Sequence, residues 1–288
     1  MWKDTGAARP FPSHASSDNN IPDTYWLMQI FRISVSTLCF GQSLKLALRT
    51  AASAGVQGVQ LDVRDELRPS ELSETGRRQL VHQLTELGLK VAAVNFPLRR
   101  GLGDQLELDA RVAAIKSAME FAWSLQAPIL SARIGKLPAD VESKQYQLML
   151  EVLSDIVRHG NHVGTTLAIA PTHDSPEALQ TLVGAVQTGP VGIDFDPAGF
   201  VSAGYNAVAA LRALHAQVVH FEARDAIRDV DGTGQEVALG RGETDWTELL
   251  VLLHEMEYRG WVNVNRTQGE DRAGDASRAV KFLQNAFF

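Results

Sequence analysis

The sequence has one cysteine, Cys39, among 288 residues. A lone thiol forms no internal disulfide and excludes any metal centre built from several thiolates. Long apolar runs are also missing: none approaches the roughly 18 residues that a membrane-spanning helix needs. Basic residues are not in excess. With 27 Lys and Arg against 34 Asp and Glu, the formal charge is −7, which argues against nucleic acid as a partner because phosphate backbones require a basic face. The first residues show no basic start leading into an apolar core, so a secretory signal is not expected. These absences together predict a soluble, cytoplasmic protein. No strand-like run is followed by a Gly-x-Gly-x-x-Gly turn, which removes the main support for a dinucleotide-binding, doubly wound sheet.

What is present is a core-forming chain, 45% hydrophobic, of a length that α/β barrels often use as one domain. Residues 1–27 are set apart as a polar, poorly ordered extension, with Pro10, Pro12 and Pro22 and the run SHASSDNN. Met28, just before the first strand-like run, is an alternative start. The domain is expected over 28–288. Strand patterns fall at 32–37, 56–63, 90–97, 128–135, 165–174, 191–199, 218–226 and 261–265. Helical patterns fall at 43–55, 69–88, 106–126, 141–163, 176–187, 206–216, 246–258 and 275–285. Strict alternation of this kind implies a parallel sheet, and eight units imply a single closed (β/α)8 TIM barrel.

Two segments, VGIDFDPAG (191–199) and VVHFEARDA (218–226), organise the rest. Side chains alternate along a strand, so Asp194 and Asp196 share one face, and His220, Glu222 and Arg224 share another, each backed by apolar residues. Active sites of such barrels lie at the C-terminal mouth of the strands. The polar residues ending the strands are Asp62, Arg64, Asn95, Arg133, His173, Asp194, Asp196, His220, Glu222, Arg224, Asn263 and Asn265. Each also has an ordinary structural reading. Asp196 before Pro197 suits a turn, Glu222 suits an ion pair with Arg133 or Arg224, and His173 suits a helix entry capped by Asp174 or Ser175. The glycines of residues 229–242 suit a flap over the mouth or a plain long turn.

The order of elements, these two segments and the closing run ALGRGETDWTELLVLLHEMEYRGWVNVN resemble the xylose isomerase-like barrel family, from about Phe31 onward. The resemblance implies a divalent ion held by a Glu after the fifth strand, an Asp after the sixth, a His after the seventh and a Glu after the eighth. It also implies two glutamates that move protons between neighbouring carbons of a sugar. Carried onto this chain, the first Glu falls on Ala170, the Asp is kept as Asp196, the ligand His falls on Glu222 and the last Glu on Asn265. A further family His falls on Gly199, while Arg224 and Asp225 fill a Lys-Asp pair.

The resulting expectation is an isomerase- or epimerase-like protein acting on a small sugar or polyol, with the family metal site degraded. No tightly bound cofactor is expected, only a weak divalent site at Asp196 and Glu222. Glu222, Asp196 and His220 are the expected catalytic groups. Asp62, Arg64, Asn95, Arg133, His173, Asp194, Arg224 and Asn265 are expected to contact substrate. Two acids in one partly desolvated site would push one pKa up. The alternatives are a pseudoenzyme that binds a sugar or a partner without turnover, and an endonuclease IV-like metal nuclease, which the acidic charge disfavours. Neither nucleic acid nor membrane is an expected partner, and a homo-oligomer is left open.

Overall fold

A computed structural model describes residues 31–286; the polar extension over 1–27 and the alternative start at Met28 lie outside the described residues. The strands are β1 (Arg32–Ser36), β2 (Gly58–Asp62), β3 (Lys90–Asn95), β4 (Ile129–Ala132), β5 (Thr166–Ile169), β6 (Val191–Phe195), β7 (Val218–Ala223), β8 (Asp225–Arg228), β9 (Gly234–Val237) and β10 (Trp261–Val264). The helices are α1 (Leu44–Ser53), α2 (Glu74–Glu86), α3 (Leu108–Ser124), α4 (Lys144–Val163), α5 (Pro176–Ala185), α6 (Pro197–Ala203), α7 (Ala207–Leu214), α8 (Trp246–Glu255) and α9 (Arg272–Ala286). Strands β1 to β7 and β10 pair in sequence order, all parallel, and β10 returns to β1 to close the barrel. The expected (β/α)8 architecture is what the chain adopts.

Burial explains the choice of residues. Strand β2 is buried along its whole length, as parallel strands covered by helices are. Helix α4 buries Tyr146, Met149, Leu153, Ile156, Val157 and Gly160, the three-to-four spacing of a single helical stripe. That stripe and its counterparts on the other helices form the main apolar core between the helices and the barrel wall. At the N-terminal end, Trp261 packs so tightly over Gly58 that a Cβ on Gly58 would sit 2.7 Å from the indole. Any side chain there would displace the ring, so glycine is required by close approach rather than by backbone angle. Arg32 stacks on the outer face of the same ring, 4.6 Å from its centroid. No helix among the described residues is long and apolar enough to cross a membrane.

Four local differences from the sequence expectation have clear causes. The strand expected through residue 199 stops at Phe195, because Pro197 takes the first position of α6, where its missing N–H costs nothing. Gly204, at φ 86°, ends α6 after two turns, so two helices rather than one join β6 to β7. The glycine-rich segment after β7 is neither a bare turn nor a plain loop: β8 and β9 pair there as an antiparallel hairpin. Helix α2 begins at Glu74 rather than 69, because Ser73 caps it through the Gly76 amide while 69–71 form a separate 3-10 turn.

Candidate functional site

Strand register builds the site. Ser34 of β1 lies beside Asn263 of β10, which lies beside Glu222 of β7. Asp194 of β6 lies beside His220 of β7, across a register shift that falls between Ile193 and Asp194. These five residues are buried inside the barrel, where a polar group left without a partner would cost roughly 1–3 kcal/mol. Most of their polar atoms are paired within the group or with Gln60 and Ser131. Ser34 Oγ donates to Asn263 Oδ1 (2.9 Å), and Asn263 Nδ2 donates to Glu222 Oε2 (3.0 Å). Gln60 Nε2 donates to Glu222 Oε1 (2.7 Å). His220 Nδ1 lies 2.8 Å from Asp194 Oδ1 and 3.8 Å from Glu222 Oε1, while Ser131 Oγ donates to the second Asp194 oxygen. The Nε2 of His220 has no partner among the described residues.

The electrostatics follow from this burial. Desolvation pushes the Glu222 carboxyl up from 4.5 to about 7, and the Asp194 charge adds to the rise. His220 and the amides of Gln60 and Asn263 oppose it. For His220, burial alone would lower the pKa, but the adjacent Asp194 outweighs it and the ring is raised overall. The arrangement is therefore an acid poised near neutrality, backed by an imidazole that Asp194 orients. About 7% of the Glu222 side chain remains exposed, against none of His220, so Glu222 is the more accessible of the two.

Asp196 does not join this group. It occupies the N-cap position of α6 without capping it, and its Oδ2 accepts from Arg224 Nη1 at 2.5 Å. The expected Asp196–Glu222 carboxylate pair is corrected accordingly: the acids that face each other are Asp194 and Glu222. Nor does Glu222 pair with Arg133 or Arg224, the structural alternative read from the sequence; its hydrogen bonds come from two amides. Arg224 also reaches Glu236 of the hairpin at 3.2 Å, so it clamps β9 to the barrel. Burial works against the guanidinium charge, and Asp196 and Glu236 outweigh it.

Several other expected site residues turn out to fasten loops. Asp62 accepts from the Arg64 and Asp65 amides and from Asn95 Nδ2 (2.8 Å), which fixes the turn after β2. Arg64 Nη1 donates to the Pro97 carbonyl. Asp225 is buried and accepts from the Gly240 and Gly242 amides and from Trp246 Nε1, which holds the segment between the hairpin and α8. Asn265 is half-buried near the Cys39 thiol, which burial pushes up to about 12 and renders inert. Ser175 caps α5 as expected, whereas Asp174 instead binds the Leu137 and Thr172 amides.

Above β4 to β7 opens a cavity of about 770 Å³, walled by Arg133, Lys136, His173, Arg228, Asp196 and Glu236 together with Arg224. Arg133 and Lys136 make no hydrogen bond or ion pair among the described residues, in contrast to Arg224. His173 projects into it from a left-handed backbone position, φ 56°. Gln60, Ser34, Ser131, Lys136, Arg228 and Glu236 were not among the residues singled out in the sequence. Parity exposes two of them: Gln60 precedes Asp62 by two positions on β2, and Ser131 of β4 precedes Arg133, just beyond the strand, by two. Glu236 and Arg228 belong to the hairpin, whose apposition no strand pattern announces.

The divalent ion that the resemblance implies does not fit these residues at the mouth. Ala170 offers no donor atom, Asn265 offers an amide, and the Asp196 carboxylate is held by a guanidinium. Deeper in, Asp194, His220 and Glu222 have ligand-type atoms within 4.8 Å of one another. The His220 nitrogen turned toward that cluster is engaged with Asp194, however, and three protein donors are one fewer than the family set.

Three solved structures share the architecture across nearly all of the described chain and of their own length. A xylose isomerase domain protein from Planctomyces limnophilus superposes with a TM-score of 0.78 at 22% identity, covering 89% of this chain and 96% of its own. A D-tagatose 3-epimerase-like protein gives 0.75 at 18% identity, covering 89% and 97%. A xylose isomerase-like TIM barrel protein from Mycobacterium smegmatis, in complex with magnesium, gives 0.72 at 13%, covering 89% and 96%. Likeness at such identities establishes the fold alone. No curated protein matches the chain. The family profile for xylose isomerase-like TIM barrels matches residues 48–286, and with the closed parallel barrel already described, the chain belongs to that family.

Proposed function

We propose that this protein moves a proton between neighbouring carbons of a small polyhydroxylated substrate that carries a carboxylate or phosphate, in the manner of an aldose–ketose isomerase. The observation that carries the reading is Glu222, a buried acid raised to about 7 by burial and by Asp194. A general base is most effective when its pKa lies near the working pH. In the proposed reaction, Glu222 removes the proton from the carbon next to the carbonyl, and the electron pair moves to the carbonyl oxygen as an enediolate. Glu222 then returns the proton to the neighbouring carbon, while a hydroxyl proton passes between the two oxygens, so protons and electrons balance. One base on one face suffices for this transfer. Epimerisation needs a second acid on the opposite face, and Asp196, the sequence candidate for it, is engaged by Arg224; this favours isomerisation.

The cavity supports the charge of the substrate. Among the described residues Arg133 and Lys136 make no ion pair on its wall, although Lys136 is close enough to Asp174 to act on its carboxyl, and cations in a concave site attract an anionic group and stabilise a developing enediolate. The second reading, binding without turnover, draws support from Ala170 and Asn265, which leave both glutamate positions of the family without an acid. Sugar acids and sugar phosphates incubated with the protein in D2O separate the two. Exchange of deuterium into the carbon next to the carbonyl, abolished by Glu222→Gln, supports proton transfer. Saturable binding without exchange for any substrate overturns it in favour of a binding protein.

A further inference from the structure

A second cavity, of about 940 Å³, opens at the same end of the barrel, beside the connections that follow β2 and β3, and shares no lining residue with the first. Its wall carries five arginines: Arg64 and Arg68 from the connection after β2, Arg99 and Arg100 from the connection after β3, and Arg111 from α3. In a chain with a formal charge of −7, such convergence from three separate segments is not a by-product of composition. Bringing guanidinium groups together costs Coulomb energy unless anions offset it.

The protein offsets only part of it. Arg68 pairs with Glu71 at 2.9 Å, Arg100 pairs with Asp104 at 2.9 Å, and Glu107 is the sole acid on the wall itself. Five cations thus stand against three carboxylates. Arg99 makes no hydrogen bond or ion pair among the described residues. Arg64 and Arg111 donate to backbone carbonyls, of Pro97, Leu106 and Asp104, which hold the guanidinium groups in place without cancelling their charge. The Nε of Arg111 is buried and has no hydrogen-bond partner among the described residues. Positioned, unneutralised guanidinium groups are the arrangement that recognises phosphate, through paired N–H donors on a rigid fork.

The rest of the wall specifies what accompanies the phosphate. Val63, Phe96, Leu98, Ala110 and Ala114 supply an apolar floor, and the Arg64 guanidinium lies 5.9 Å from the centre of the Phe96 ring. A free inorganic ion would leave that floor in water. We infer that this cavity binds a phosphorylated organic molecule, with its phosphates on Arg64, Arg99 and Arg111 and its remaining atoms on Phe96 and Leu98. The site is separate from the proposed catalytic cavity and stands or falls independently of it.

Titration calorimetry of the full chain at low salt, with inorganic pyrophosphate and a nucleoside diphosphate as probes, tests the inference. Both should bind, and the nucleoside diphosphate should bind more tightly because it covers the floor. Arg99→Ala, an exposed position that leaves the packing alone, should weaken both probes by about tenfold, as expected for losing one charged hydrogen-bonding partner. Arg111→Gln should weaken them further if the variant folds, and Arg133→Ala, which removes a cation of the other cavity, should leave the Arg99-dependent binding event in place. Binding should also fall as salt rises. Failure of both probes to bind at millimolar concentration overturns the inference. So does a loss of binding in Arg133→Ala with none in Arg99→Ala. Equal affinity for pyrophosphate and the nucleoside diphosphate overturns the assignment of the apolar floor.

Discussion

Glu222→Gln distinguishes a working acid from a structural one through the pH dependence of stability. In the folded protein the Glu222 carboxyl is raised to about 7 from 4.5, so between those values the native state keeps a proton that the unfolded chain has released. Stability contributed by this group therefore falls as pH rises through that window, and the sign is opposite to that of a salt-bridged carboxylate. The full interval corresponds to roughly 3 kcal/mol at 1.36 kcal/mol per pH unit. Between pH 5 and pH 8 the expected change is about 2–3 kcal/mol, or about 4 °C in Tm for a chain of this length. Glutamine cannot ionise, so the variant lacks this slope. It does bring a pH-independent penalty of about 1–3 kcal/mol, because its own N–H2 must face one of the amide donors of Gln60 or Asn263. The assay is thus the difference in Tm between variant and wild type, followed by scanning calorimetry from pH 5 to pH 8. That difference should climb by about 4 °C toward the variant's favour. Activity should drop about 10²–10⁴-fold at every pH, as expected on losing a general base. Parallel Tm curves would refute the reasoning, since they would mean that Glu222 ionises in the folded state as it does in the unfolded chain.

Two further outcomes follow from the ion pairs and donor sets. Arg224→Gln should destabilise the fold by about 3–5 kcal/mol near neutral pH, because among the described residues Asp196 is left buried without a cation and Glu236 keeps only Arg266, at 3.5 Å. Burial raises the Glu236 carboxyl, but Arg224 together with the hydroxyl and amide of Thr267 holds it below its usual value, so the stability it contributes is present above the ordinary carboxyl range and is lost as pH falls through the folded pKa. The gap between variant and wild type, read by urea unfolding, should accordingly narrow in acid; a gap that stays constant would show that packing, not charge, is involved. Elemental analysis of dialysed protein should find far less than one Mg, Mn or Zn per chain. Near one per chain, lost in His220→Ala, would place an ion on the Asp194–His220–Glu222 cluster and refute the fit argument.

The barrel was legible because its signal is repeated: eight apolar runs separated by amphipathic stripes leave few other architectures. The polar mouth was legible from parity, which places His220 and Glu222 on one face of β7 whatever their neighbours are. Parity says nothing, however, about which strand residue stands opposite which. The His220–Asp194 contact depends on a register shift beside Asp194, and no property of either segment taken alone reveals it. Asp196 shows the opposite failure. It has the same parity as Asp194, but Pro197 starts a helix, the strand has already ended, and the carboxylate swings to Arg224. Two acids two positions apart therefore do different work: Asp194 raises the pKa of Glu222, while Asp196 anchors the residue that holds the hairpin. The arginine-lined cavity lies further still from any local signal, since residues 64, 68, 99, 100 and 111 meet only once β2 and β3 are neighbours in a closed barrel. Chemistry carried by one strand can be read along the chain. Chemistry assembled between strands depends on register and closure, and in this protein both the poised acid and the second cationic cavity are of that kind.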